Sequence, residues 1–134
     1  MLNRASEIHD SVLAAVSIAQ GVAELRFSLV YIHRTEGDSG RDPGTVWGQE
    51  AILRIKDATV SGAFSQLPVD LWDGRITLGE SQLDNLIPIP LSAANAIELR
   101  LEAWPQSQEV VTFSGNGVEL ELIGEPDYLE DFRP

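Results

Sequence analysis

A chain of 134 residues, 43% apolar and 22% charged, reads as one domain over residues 1–134, long enough to bury its own core. It contains no cysteine, which excludes disulfides, thiolate metal sites and cysteine nucleophiles and fits a reducing, cytoplasmic setting. A formal charge of −12 disfavours nucleic acid and anionic membrane as partners and favours a basic protein.

The first segment with a pattern admits two readings. Ser6 is placed to cap a helix over 7–20, with Ile8, Val12, Ala15 and Ala19 as its apolar stripe and Gly21 as its stop. Alternatively 12–19 is a strand that turns at Gln20-Gly21 into the next one. The strand is favoured, because it yields a hairpin. The same stretch is read as part of the fold rather than as a signal-peptide core, because Glu7, His9 and Asp10 stand where basic residues belong, and no apolar run reaches the ~20 residues of a membrane helix.

From Ala23 to Ile32 the chain alternates, with Leu25, Phe27, Leu29 and Tyr31 on one face and His33 next in that register. Residues 34–48 form a polar, glycine-rich stretch read as a long loop. Ala51, Leu53 and Ile55 then alternate with Arg54 and Lys56, and 58–64 offers a further strand. Asp73-Gly74 reads as a turn ahead of Ile76 and Leu78. Residues 83–91 carry Pro88 and Pro90, which remove ladder donors and point to an edge strand or an extended connector.

The last third alternates most clearly. Ile97, Leu99 and Leu101 interleave with Glu98, Arg100 and Glu102, and a loop follows around Pro105. Val110 to Phe113 leads into Ser114-Gly115-Asn116-Gly117, read as the turn of a hairpin whose return strand holds Val118, Leu120 and Leu122. Glu98, Glu102, Glu119 and Glu121 then share a solvated face. This accounts for much of the charge imbalance, net −2 over residues 1–67 and −10 over 68–134. The tail, 127–134, either frays or docks through Tyr128, Leu129 and Phe132. Together these signals predict an all-β fold, an antiparallel meander of about seven to nine strands closed as a barrel or stacked as a sandwich, with at most one short helix.

Motifs with chemical potential are few. Gly37-Asp38-Ser39-Gly40 resembles the stretch around the nucleophile of chymotrypsin-like serine proteases. The likeness covers four residues, lacks the Gly-Pro that follows in that family, and sits in a chain too short for two barrels; it reads as a turn. His9-Asp10-Ser11 holds the three residue types of a hydrolytic triad, but neighbours in sequence do not converge as a triad must. Asp10 or Ser11 is expected to accept backbone amides there, with His9 packing or hydrogen-bonding locally. His9 and His33 are the only histidines, hence the only candidates for imidazole–metal ligation, with Asp10, Glu36 or Asp42 as carboxylate partners. No phosphate-binding glycine loop is present and no cofactor is implied. Glu125, Asp127, Glu130 and Asp131 read as a solvated acidic tail.

Tyr31, His33, Arg34, Asp42, Trp47 and Gln49 bracket the long loop and form the expected binding group, since aromatic and arginine side chains anchor interfaces. The ordered series His9-Asp10-Ser11, Tyr31-Ile32-His33-Arg34, Gly44-Thr45-Val46-Trp47-Gly48-Gln49, Ile87-Pro88-Ile89-Pro90 and Gly124-Glu125-Pro126-Asp127-Tyr128-Leu129-Glu130 resembles a group of small bacterial β-rich proteins without assigned function. The His-Asp step before a first strand is similar to small bacterial families grouped with toxin-immunity proteins. That resemblance implies an acidic immunity or accessory protein and transfers no catalytic residue. The leading expectation is therefore a non-enzymatic protein-binding module with a basic partner. The alternatives are a small metal-dependent or hydrolytic enzyme using His9, His33 and Asp42, and a domain that assembles with copies of itself through the edge at 87–91.

Overall fold

The computed structural model describes residues 2–105 and 109–134, and no helix occurs among them. Nine strands follow in chain order: β1 (Asn3–Ala19), β2 (Val22–Thr35), β3 (Gly44–Lys56), β4 (Thr59–Ser61), β5 (Val69–Leu78), β6 (Ser81–Asp84), β7 (Leu86–Ile89), β8 (Ser92–Ala103) and β9 (Val110–Phe132). They pair antiparallel in the order β6-β5-β8-β9-β3-β2-β1-β7, and β4 adds to β9. The sheet curls until β1 meets β5, Val12 opposite Asp70 and Leu13 opposite Val69. This seam joins six of the strands into a partial ring. The expected all-β, barrel-like fold is the one observed, and curling spares most strands an open edge.

Alternation places the core. Ala23, Leu25 and Phe27 of β2, Ala51, Leu53 and Ile55 of β3, and Ile97, Leu99 and Leu101 of β8 are all buried, around Leu13, Ile76 and Phe113. Each such leucine or isoleucine contributes about 1.5–3 kcal/mol relative to exposure. The N-terminal segment is strand rather than helix. It turns at Gln20 and Gly21, whose φ values of 53° and 77° are the left-handed pair a two-residue hairpin requires. The proline-bearing β7 is an edge strand, paired on one side with β1.

Register departs from simple alternation in β2. Ser28 and Leu29 together face Glu50, between the pairs Phe27 with Ala51 and Val30 with Gln49. The extra residue flips the strand. Val30 and Ile32 join the core, while Leu29, Tyr31 and His33 leave the face of Leu25 and Phe27 to which alternation assigned them.

Residues 114–117 make no hairpin. β9 runs through them unbroken, so the expected three-stranded meander is β8 beside one long strand that passes onward to β3. Gly115 serves close approach instead: a Cβ there would lie 2.2 Å from the Lys56 carbonyl oxygen. Asp73-Gly74 likewise lies inside β5, where a Cβ on Gly74 would stand 2.6 Å from Ile8 Cγ2. The long loop shortens to 36–43, because Arg34 pairs with Thr45 and Thr35 with Gly44. The tail continues β9, with Asp131 opposite Thr45 and Phe132 opposite Gly44. Residues 106–108 of the loop expected around Pro105 lie outside the described residues.

Candidate functional site

The most irregular backbone lies in β1. Between Glu7, paired with Tyr31, and Val12, paired with Leu29, the residues Ile8, His9, Asp10 and Ser11 face the single Val30 of β2. Asn85 anchors this excursion. Its carbonyl accepts the Ile8 N–H at 2.8 Å and its side-chain oxygen accepts the His9 N–H at 2.6 Å. Ser11 Oγ, fully buried, donates to the Glu7 carbonyl at 2.6 Å. Its role is thus structural, but as donor to a carbonyl and not as the expected acceptor of an amide. Asp10 takes a φ of 67°, a backbone that aspartate tolerates better than most residues.

A second bulge meets the first. In β5, Trp72 is the extra residue between the pairs Leu71 with Ala103 and Asp73 with Glu102. Its carbonyl, released from the ladder, accepts from His9 Nδ1. The two rings stand edge to face, centroids 5.1 Å apart. A carbonyl only accepts, so Nδ1 carries the proton, and Nε2 faces Asp10 Oδ2 at 3.4 Å. Trp104, 55% exposed, lies against Trp72 with ring centroids 5.0 Å apart, and its backbone N–H donates to the Asp70 carbonyl at 2.8 Å. Beside these residues runs a surface groove of about 390 Å³, lined by Asp10, Val12, Leu29, Tyr31, Asp70 and Trp104.

His33 occupies a different environment. It is buried on the face it shares with Glu7, its Nε2 3.6 Å from Glu7 Oε2, and its ring meets Phe132 edge to face at 5.2 Å. At 3.6 Å the contact is an ion-pair approach rather than a hydrogen bond. The His33 ring holds the Glu7 carboxyl below its ordinary range, against partial burial that pushes it up, and the Asn85 amide reinforces the lowering.

Arg34 and Trp47 lie on the opposite face of the sheet from His33, as successive residues of a strand must. The Arg34 guanidinium carbon sits 4.3 Å from the centroid of a Trp47 ring. Trp47 packs partly on the core, its indole N–H donating to Thr45 Oγ1 at 2.8 Å. Tyr128 rests edge-on against Trp47 at 5.4 Å and donates its hydroxyl to Asp131 at 2.6 Å, which raises the phenol's pKa. Tyr128 and Leu129 are 52% and 47% exposed, with Asp127, Glu130 and Asp131 as their chain neighbours.

The six residues of the expected binding group therefore divide. Tyr31 lines the groove; His33 is buried beside Glu7; Arg34 and Trp47 stack at the far end of β2 and β3. Gln49 donates to the Gly124 carbonyl at 2.8 Å, where three residues of β9 pass between the pairs Gly48 with Asp127 and Glu50 with Ile123. Asp42 accepts the Asp38 N–H at 2.6 Å and ties the tip of the 36–43 loop, consistent with the turn reading of Gly37 to Gly40. Among the described residues no three histidine or carboxylate side chains gather as metal ligands, and His9, His33 and Asp42 each serve a separate local contact. Sequence reasoning missed Asp70, Trp72 and Trp104. The signal available was the pair of tryptophans beside alternating segments, Trp104 just after 97–102 and Trp72 just before Asp73-Gly74, and reading Asp73-Gly74 as a turn masked the second.

Comparison of the chain with protein-family models, with curated proteins and with solved structures yields no significant match.

Proposed function

We propose that the protein is a non-enzymatic binding module for a basic protein, accessory or immunity-like in character, that engages its partner through the end of the sheet where β3 meets the tail of β9. One observation carries this reading. Tyr128 stands exposed, braced edge-on against Trp47, with Trp47 in turn stacked under Arg34 and the Tyr128 hydroxyl held by Asp131. Aromatic anchors held in place before binding, surrounded by a charged rim, are how protein interfaces concentrate affinity. The rim carboxylates and the net charge of −12 favour fast capture of a positively charged surface.

The test is site-specific photocrosslinking from position 128 in the cells that make the protein. The expected product is an adduct with one basic protein, formed at low salt and suppressed by molar NaCl, and absent when the crosslinker is placed instead at an exposed site on β8. Adducts that are absent, or that spread over many unrelated proteins regardless of salt, overturn the proposal.

A further inference from the structure

A second surface carries a separate inference, independent of the Tyr128 patch. The groove at the seam between β1 and β5 combines three features. Its walls are apolar and aromatic, from Val12, Leu29, Tyr31 and Trp104. Its charged groups are two carboxylates, Asp10 and Asp70, and among the described residues no lysine or arginine lines it. Its aromatic wall is built rather than incidental: Trp104 leans on Trp72, Trp72 on His9, and the Trp72 carbonyl holds the His9 ring.

We infer that this groove receives a cationic side chain, lysine or arginine, presented by a partner. Exposed aromatic faces attract a cation through the ring quadrupole, and the attraction strengthens as the site loses water. Asp10 and Asp70 supply the counter-charge. Asp10 has one nearby partner, His9 Nε2 at 3.4 Å, and its side chain is 67% exposed, so it remains available to an incoming cation. An anionic occupant would face both carboxylates, and a purely apolar one would leave them desolvated without a partner. The two positions come together only because β1 bulges at Asp10 and then meets β5 at Val12 opposite Asp70.

The experiment is an amide and indole NMR titration of the full chain with three capped tripeptides: acetyl-Gly-Arg-Gly-amide, acetyl-Gly-Lys-Gly-amide and the norleucine analogue. A single charge per peptide limits diffuse attraction to an acidic protein. Saturable shifts are expected at the Trp104 indole and at the amides of Asp10, Val12 and Asp70 with at least one cationic peptide, and none with norleucine. The stronger of the two cations then defines the partner group. Asp10→Asn combined with Asp70→Asn should weaken binding about 10-fold or more, since asparagine accepts the left-handed backbone at position 10. Glu119→Gln combined with Glu121→Gln removes the same charge from another face and should leave it unchanged. Absence of saturable shifts, equal response to norleucine, or equal weakening by both double variants overturns the inference.

Discussion

Single side chains here are held by contacts whose removal has a definite sign. Glu7 is the clearest. Its folded carboxyl titrates below its ordinary value of 4.5 because His33 stands beside it. A depressed folded pKa means stabilisation that is present above that ordinary value and is lost as the pH falls through the folded value. Glu7→Gln should therefore be less stable than wild type near neutral pH, and the gap should close as the pH falls below the ordinary value of 4.5 and through the lowered folded one. Urea denaturation at neutral pH and at successively lower acid pH measures it; a gap that stays constant would assign the effect to packing alone. Gly115 is a second case. Alanine there would force its Cβ to 2.2 Å from the Lys56 carbonyl oxygen, a backbone atom that moves only with its strand. Gly115→Ala is expected to cost about 2–4 kcal/mol in chemical denaturation, at the upper end of overpacking penalties.

Among the strands, the charged face across β2, β3 and β9 is organised by one residue. Arg54 lies opposite Glu24 on one side and Glu119 on the other, and reaches Glu24, Glu119 and Glu121 at 3.3, 3.3 and 2.7 Å. The carboxylates raise its already high pKa, with Glu121 contributing most. Arg54→Ala should cost about 1 kcal/mol, because exposed pairs are individually weak but three acids are then left facing one another. Added NaCl should narrow the difference, and Glu121→Gln in the Arg54→Ala background should recover part of it; a deficit indifferent to both would refute the repulsion. This face was legible beforehand, because strict alternation of Glu119 and Glu121 with Leu120 and Leu122 assigns it directly. The bulges were not. A bulge adds one residue without altering composition, so Leu29, Tyr31 and His33 kept an alternating pattern while the backbone moved them to the other face. Gly115 and Gly117 misled for a related reason. Glycine marks both a turn and a close passage of strands, and only the position of Lys56 decides between them. The binding group suffered accordingly, since Tyr31 and His33 were expected beside Arg34 and Trp47 and alternation within one strand separates them.

At the level of the whole molecule, the ladders are unequal. β3 pairs with β9 over almost its full length, and β1 with β2 from Asn3 to Ala19, whereas β1 meets β5 at two positions. Hydrogen exchange should follow that inequality. Amides of β2 and β3 around Leu25, Leu53 and Ile55 are expected to open only with global unfolding, and those of Val12, Leu13 and Val69 by local separation at lower free energy. Uniform protection across both regions would show that the seam opens only when the rest does. Folding is expected in the millisecond-to-second range of barrels dominated by non-local pairing, since closure waits on residues far apart in sequence.

The two-pair seam also makes the molecule mechanically anisotropic. A load that draws β1 and β5 apart meets Val12 with Asp70 and Leu13 with Val69 in succession, and each contact breaks alone, like the teeth of a zip. A load directed along β3 against β9 is shared by the whole ladder at once and must shear it as a unit. The groove that we assign to a cationic side chain straddles the compliant direction, with Asp10 on β1 and Asp70 on β5. An occupant bridging those two carboxylates would act as a stitch across the weakest line of the wall.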